Sequence, residues 1–446
     1  MSVSFRFIHA ADLHVDSPFR GLSEAPSYVQ EALFRSTFDA VHNLVQTAIS
    51  NEVDFVVIAG DLYDTSNRSL RAQLALQREW QQLHAHGVQL FVIHGNHDHL
   101  SGSRANLKWP ENVYTFHSDS VQSVPAFRRD GQLAAYIYGM SYGSRAVTDN
   151  IAAGYKPNTA EEHYHIALLH GNVDGSAEHD PYAPCSLVEL AGAGFNYWAL
   201  GHIHTREILH TYPHVVYPGN TQGRHARETG AKGCYLIEVS QTKETVLTFI
   251  PLDAVRWEEA AVSIANLATE HALLHAVGRA VEEQRLLSQG RPCMIKLKIE
   301  GRGPMHRHLV NPVFAQELLE GLRIQFSDED GGTDKLSQSW CWIYALETRT
   351  GVEIDLAALA AEDSFTGQLI RESLELEEDA AAGAAFIEEA LAPLLLNPRL
   401  RKLLGSKLKD RSPILLQQAR ELSAGLLTEE SETAPAEKRD SGEGDA

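Results

Sequence analysis

Apolar runs of β type recur through the first half of the chain: 5-FRFI-8, 54-DFVVIA-59, 88-VQLFVI-93, 165-HIALL-169, 197-YWAL-200 and 215-VVY-217. Helical spacing fills the intervals between the first three. Phe34, Phe38, Val41, Val45 and Ala48 recur at three and four residues, which places them on one helix face. Leu70, Leu74 and Leu83 fit a second helix. Strands alternating with helices predict an α/β layered fold.

The pattern changes after residue 255. Residues 256–290 read as helical, and 293-CMIKLKIEG-301 alternates like a strand. A helix over 313-VFAQELLEGL-322, a strand over 323-RIQF-326, a loop at 328-DEDGGTDK-335 and a strand over 340-WCWIYALET-348 follow. Together they predict a small α+β unit over 256–348. Residues 349–427 form a helical region, with amphipathic helices after 362 that use Leu369, Leu374, Phe386, Leu391, Leu394, Leu403 and Leu408. The tail 428–446 is polar, acidic and poor in apolar residues, so disorder is expected there.

Composition narrows the class. Hydrophobic residues make up 43% of the 446 and charged residues 22%, as in a soluble globular protein of two or three domains. No stretch approaches the roughly 18 apolar residues of a membrane helix, and the N-terminus lacks the apolar core of a signal peptide. Cys185, Cys234, Cys293 and Cys341 are scattered, form no CxxC, and read as free thiols in a reducing compartment. A cytoplasmic protein is therefore expected. The net charge of −21 argues against broad, metal-free binding of nucleic acid. It does not exclude a polyanionic substrate. Residues 347–446 carry a net of −10, and two divalent ions would add about +4 locally. With no GxxxxGK[ST] loop, ATP hydrolysis by that route is not expected.

The chemistry sits where the apolar runs stop. Asp12 and His14 follow the first strand, Asp61 the second (60-GDLYD-64), Asn96 and His97 the third (95-GNHD-98), His170 the fourth, and His202 and His204 the fifth (201-GHIH-204). In α/β sheets, ligands bind at the carboxyl ends of strands. Mixed oxygen and nitrogen donors without thiolate suit Mn²⁺, Fe²⁺ or Zn²⁺, two of them if a carboxylate bridges. A bridging hydroxide would attack phosphorus in line, and a histidine that is not a ligand would protonate the leaving oxygen. Other histidines read as ordinary: His84 and His86 at a helix end, His306 and His308 in a basic loop.

The ordered set D-x-H, GD-x-x-D, GNHD, H-G-N and GH-x-H resembles the calcineurin-like metallophosphoesterase superfamily over roughly residues 1–255. Within it, 8-IHAADLHVDSPF-19 with 60-GDLYD-64 resembles the SbcD-type DNA-repair exonucleases, and 217-YPGNTQGRHARETGAKG-233 resembles their YhaO-like branch. The resemblance implies a four-layer α/β/β/α sandwich, a capping domain over 256–348 with possible DNA contact, and a helical region that could bind a partner ATPase. It implies one metal on Asp12, His14, Asp61 and His204, and a second on the bridging Asp61 with Asn96, His170 and His202. It implies Mn²⁺ as the metal, with Fe or Zn left open by the donors. His97 would be the general acid, Asp98 would orient it, and Asp64 either joins the site or caps the next helix. The implied function is a DNA exonuclease in repair or recombination, working as a homodimer with an SMC-like coiled-coil ATPase.

Two alternatives stay open. One is a phosphoesterase for small nucleotides or phosphoproteins. However, phosphoprotein phosphatases usually carry GNHE and GD-x-x-DRG, and purple acid phosphatases need a Tyr where this chain has Asp64. The other is a non-catalytic regulatory subunit of an ATPase, for which an eroded ligand would be expected.

Overall fold

The structure is a computed structural model that describes residues 3–19, 24–65, 68–102, 105, 107–158, 162–175, 182–326, 339–397, 400 and 413–427. The chain opens with β1 (Phe5–Ala10), α1 (Ser27–Ser50), β2 (Phe55–Ala59), α2 (Leu70–Ala85) and β3 (Gln89–Ile93). There follow β4 (Val113–Thr115), β5 (Gln122–Phe127), β6 (Leu133–Gly139), β7 (Tyr164–His170), α3 (Leu187–Gly192) and β8 (Tyr197–Gly201). Then come β9 (Glu207–Thr211), β10 (His214–Tyr217), β11 (Gly233–Val239), β12 (Thr245–Pro251) and β13 (Arg256–Ser263). The last elements are α4 (Glu270–Leu287), β14 (Cys293–Arg302), α5 (His306–Leu309), α6 (Pro312–Phe326), β15 (Cys341–Gly351), α7 (Leu356–Ala360), α8 (Phe365–Glu378) and α9 (Ala380–Leu395). Residues 413–427 are also helical.

Two six-stranded sheets carry the site, ordered β12-β11-β1-β2-β3-β4 and β5-β6-β7-β8-β10-β9. Strands β1 to β4 run parallel, as do β6, β7, β8 and β10; β11, β12, β5 and β9 pair antiparallel. Phe7, Phe55, Val57 and Phe91 meet Ile137, Ile166, Leu168, Tyr197 and Ala199 between the sheets. The alternate residues Ile8, Val56, Ile58, Leu90 and Val92 pack with Val41, Leu44, Leu76 and Trp80 of the two long helices. The strands read as unbroken apolar runs because both faces are buried. On the outer face of the other sheet, Leu169, Trp198 and Val215 pack with Leu190 of α3. This is the α/β/β/α sandwich.

Contacts divide the chain into two compact units. Unit 1 holds residues 1–260, 281–297 and 320–345; unit 2 holds 261–280, 298–319 and 346–446. A linear cut at 255 is therefore crossed. Val255, Trp257, Met294, Trp340 and Trp342 share one buried cluster with Ala25, Val29 and Leu33. The third sheet, β13-β14-β15, supplies residues to both units. Within unit 2, Arg302 pairs with Glu421 and Arg420 with Glu377.

Several sequence expectations change. Residues 256–263 are strand, not helix, since RWEEAAVS alternates buried with less buried positions. Residues 323–326 continue α6 through Gly321, and the Arg323 guanidinium donates to the Ile343 and Tyr344 carbonyls. Phe34 lies 51% exposed under the Arg71 guanidinium, outside the buried stripe of α1. In α2 the buried stripe is Ala72, Gln73, Leu76, Trp80 and Leu83, whereas Leu70 and Leu74 are exposed. The hairpins β5-β6 and β11-β12 went unread. The loop 328–335, Leu403, Leu408 and the tail 428–446 lie outside the described residues. Among the described residues no helix is long and apolar enough to cross a membrane.

Candidate metal centre

Five strand ends supply one cluster. After β1 and β2 the chains continue side by side: Asp12 N–H donates to Gly60 O, His14 N–H to Asp61 O and Val15 N–H to Leu62 O. Asp12, His14, Asp61 and His202 all adopt positive φ, at 53°, 42°, 52° and 98°. Such backbone costs about 1–3 kcal/mol per residue and persists where the surroundings hold it. Two glycines let the segments close. A Cβ on Gly95 would sit 2.4 Å from Asp61 Oδ1, and one on Gly60, itself at φ +96°, 2.3 Å from His170 Nδ1.

The donor atoms converge in a buried space. Asp12, His14 and His204 place one ligand atom each within 4.8 Å of one another, and so do Asp12, Asp61 and His170. Asp61 Oδ2 lies 3.4 Å from His170 Nε2 and 3.9 Å from His14 Nε2, so it reaches both groups. Asn96 Oδ1 is 3.0 Å from His170 Nε2. The His202 ring packs edge-on to that of His170 at 5.3 Å, and its backbone N–H donates to Asp12 Oδ2 at 3.0 Å. All seven residues expected as ligands thus lie together. Asp64, His14 and His97 form an adjoining third group.

The hydrogen bonds leave this set short of positive charge. His170 Nδ1 donates to Ala59 O at 2.8 Å, which turns the Nε2 lone pair toward two oxygens that can only accept. A cation or a proton must stand there. Burial pushes His170 down, but the charge and hydrogen bond of Asp61 overcome it and raise its pKa to about 9. Burial also works against ionised Asp61, yet the same contact with His170 holds it below the usual carboxylate range. Burial pushes Asp12 up. It pushes His14 and His204 down, so both stay neutral. Their Nε2 atoms face each other at 3.1 Å, and His14 Nδ1 is buried without a hydrogen bond, 3.7 Å from Asp64 Oδ1. Unprotonated imidazoles aimed at buried carboxylates fit two divalent cations, and the oxygen and nitrogen donors suit Mn²⁺, Fe²⁺ or Zn²⁺.

His97 stands beside this set. Its Nδ1 donates to Asp64 O at 2.7 Å and its backbone N–H to Asp61 Oδ1 at 3.0 Å. With Nδ1–H so held, Nε2 is left as the atom that can take up and give a second proton. Asp98 does not orient it. The Asp98 carboxylate takes the Leu62 and Gly95 N–H groups and His94 Nδ1, because the turn after β3 leaves these buried donors to be satisfied. The orienting atom is the backbone carbonyl of Asp64. That residue's carboxylate accepts from Ser17 Oγ and Arg224, while the cap of α2 is Ser69.

Residues 217–233 supply side chains not foreseen as part of the site. Glu228 Oε1 accepts from His204 Nδ1 at 2.7 Å. Burial opposes its charge, but the bonds from His204 and Arg224 hold its pKa well below the ordinary value. Tyr142 closes the site from behind, donating to His170 O at 2.7 Å. Glu228 lies 24 residues beyond His204 with no periodic pattern between them, so only folding reveals the pairing.

Residues 5–206 match the calcineurin-like phosphoesterase family, and residues 257–351 match the middle domain of the metallophosphoesterase YhaO. Over 375 residues, the chain is 39% identical to the uncharacterized metallophosphoesterase YhaO of Bacillus subtilis, covering 83% of this chain and 88% of that one. It is 25% identical over 277 residues to the DNA double-strand break repair protein Mre11 of Thermoplasma acidophilum, covering 59% of this chain and 70% of the other. A dimetal phosphatase from Danio rerio aligns in structure over 55% of this chain and 99% of its own, with 14% identity and a TM-score of 0.34.

Proposed function

Because the chain belongs to the calcineurin-like metallophosphoesterases, in their YhaO-like branch, and so to a family of metal-dependent phosphoester hydrolases, we propose that it cleaves phosphodiesters at DNA ends. One observation carries this proposal. Seven residues with oxygen and nitrogen donors converge in one buried cluster of unbalanced charge, and His97, held through Nδ1, stands next to them. Two bound divalent ions, Mn²⁺ in this proposal, would supply Lewis acidity and an activated water. Asp12, His14, Asp61, Asn96, His170, His202 and His204 would hold them. The chain's own work is to place the phosphate and to move one proton. His97 Nε2 gives that proton to the leaving oxygen while the Asp64 carbonyl keeps the ring in register. The resemblance to a named DNA repair protein over 59% of this chain supports DNA as the substrate. An SMC-like ATPase partner and a homodimeric state belong to the same proposal.

A paired assay tests it. Purified protein with Mn²⁺ receives linear DNA in one tube and bis-p-nitrophenyl phosphate in another, beside the His97→Ala variant. Nucleotide release from DNA, reduced by a factor on the order of 10²–10⁴ in the variant at unchanged metal content, is the expected result. Cleavage of the small diester alone would move the substrate to small phosphoesters. If neither is cleaved by metal-filled protein, DNA-end cleavage by the isolated chain is ruled out.

A further inference from the structure

We propose that Glu228 is a positioning residue of the metal centre, and that segment 218–233, buried over 218–223 and at Glu228, exists to hold its carboxylate against His204. This rests on the metal centre described above but not on any choice of substrate. The carboxylate fixes which imidazole nitrogen of His204 carries the proton. Oε1 accepts from Nδ1 at 2.7 Å, so the lone pair is on Nε2. That nitrogen lies 3.9 Å from Asp12 Oδ1 and 3.1 Å from His14 Nε2, on the ligand side. A carboxylate behind a ligating imidazole sets its tautomer and raises its basicity.

The segment itself is built for this contact. Glu228 is only 6% exposed, yet its Oε2 accepts from Asn220 Nδ2 at 2.9 Å and from Arg224 N–H at 2.7 Å. Asn220, Thr221 and Gln222 are buried, which is unusual for a connecting loop. Gln222 compensates for the lost backbone pairing, donating to Val255 O and accepting from Ala254 N–H. The Trp257 indole donates to Gly223 O, and a Cβ on Gly223 would meet Glu228 O at 2.7 Å. Lys232 Nζ donates to His204 O, so the same segment also holds the ligand's backbone. Arg224 joins Glu228 to Asp64, whose carbonyl orients His97.

The test uses the full chain as wild type, Glu228→Gln and Glu228→Ala. Mn²⁺ binding is followed by electron paramagnetic resonance of the free aquo ion, and thermal melting without metal reports the fold. In the Ala variant, one of the two metal sites should weaken roughly 10–100-fold while the other keeps its affinity. The Gln variant, which keeps the shape and a neutral acceptor, should fall between wild type and Ala. In ¹⁵N-histidine-labelled, metal-free protein, the His204 resonances, identified with His204→Gln, should show the Nδ1–H form. They should move toward Nε2–H in Glu228→Ala. Wild-type affinity at both sites in the Ala variant, or an unmoved His204 tautomer, overturns the proposal. So does equal weakening of both sites in step with melting temperature, since that marks a structural role only. Protein that binds two ions but cleaves no DNA would defeat DNA-end cleavage and leave this result standing.

Discussion

Gly95 holds open the space in which the candidate ligands meet. Its missing Cβ is the space into which Asp61 and His170 close, with Asp61 Oδ1 at 2.4 Å and His170 Nε2 at 2.6 Å from the position a methyl would take. Gly95→Ala should therefore empty the metal site while the strands stay formed. Elemental analysis of the purified variant should find little bound metal beside an ordinary circular dichroism spectrum; a full complement of metal would refute the steric argument. Residue chemistry also separates His97 from Asp98. Both follow β3 and both looked catalytic in sequence, but the Asp98 carboxylate is spent on Leu62, Gly95 and His94. Sequence favoured His97 as the catalytic group and left Asp98 open as its orienting partner, because it does not show where buried N–H groups need partners.

At the scale of elements, helix faces needed the tertiary structure. Helix α2 was legible from spacing, but its buried side was not. The exposed Leu70 and Leu74 look as apolar in sequence as Leu76 and Leu83. Leu76→Ala should cost about 2–5 kcal/mol, because Leu76 is fully buried against the strand face. Leu74→Ala, at 42% exposure, should stay within about 0.5 kcal/mol. Urea unfolding of the pair decides it, and equal losses would return Leu74 to the core. The parallel strands β1, β2, β3, β7 and β8 were readable because burial on both faces makes them largely apolar, with Arg6, His9, His165 and His170 as exceptions in β1 and β7. β12 escaped notice because its residues are at most half buried, alternating with exposed positions over its first half.

The whole molecule concentrates charge at one buried point, and its stability should report that. Without metal, His170 is raised to about 9, where the bond and charge of Asp61 overcome burial, and burial raises Asp12. The unfolded chain releases these protons near pH 6.5 and 3.9 respectively. Between pH 6.5 and 9 the folded, metal-free protein thus holds protons that the unfolded chain has lost, and its stability must fall as pH rises. The lowered His14 and His204 act in the opposite sense, but only below about pH 6.5. Melting in EDTA should therefore decline from pH 6.5 to 9. With Mn²⁺ the decline should flatten or reverse, since bound metal replaces the protons. A melting temperature in EDTA that climbs over this window would contradict the assignment of those protons.

By itself the sequence determined the layered α/β class, the strand ends that carry Asp12, Asp61, Asn96, His170 and His202, and the chemical kind of the site. Period and donor type are local properties, written in adjacent residues. Tertiary structure alone decided that Asp64 holds His97 through a carbonyl, that Glu228 stands behind His204, and that Trp257, Met294 and Trp340 join the core of the N-terminal unit. These pairings span 24 to more than 200 residues, and each depends on which buried donor or apolar face lacked a partner once the sheets had closed.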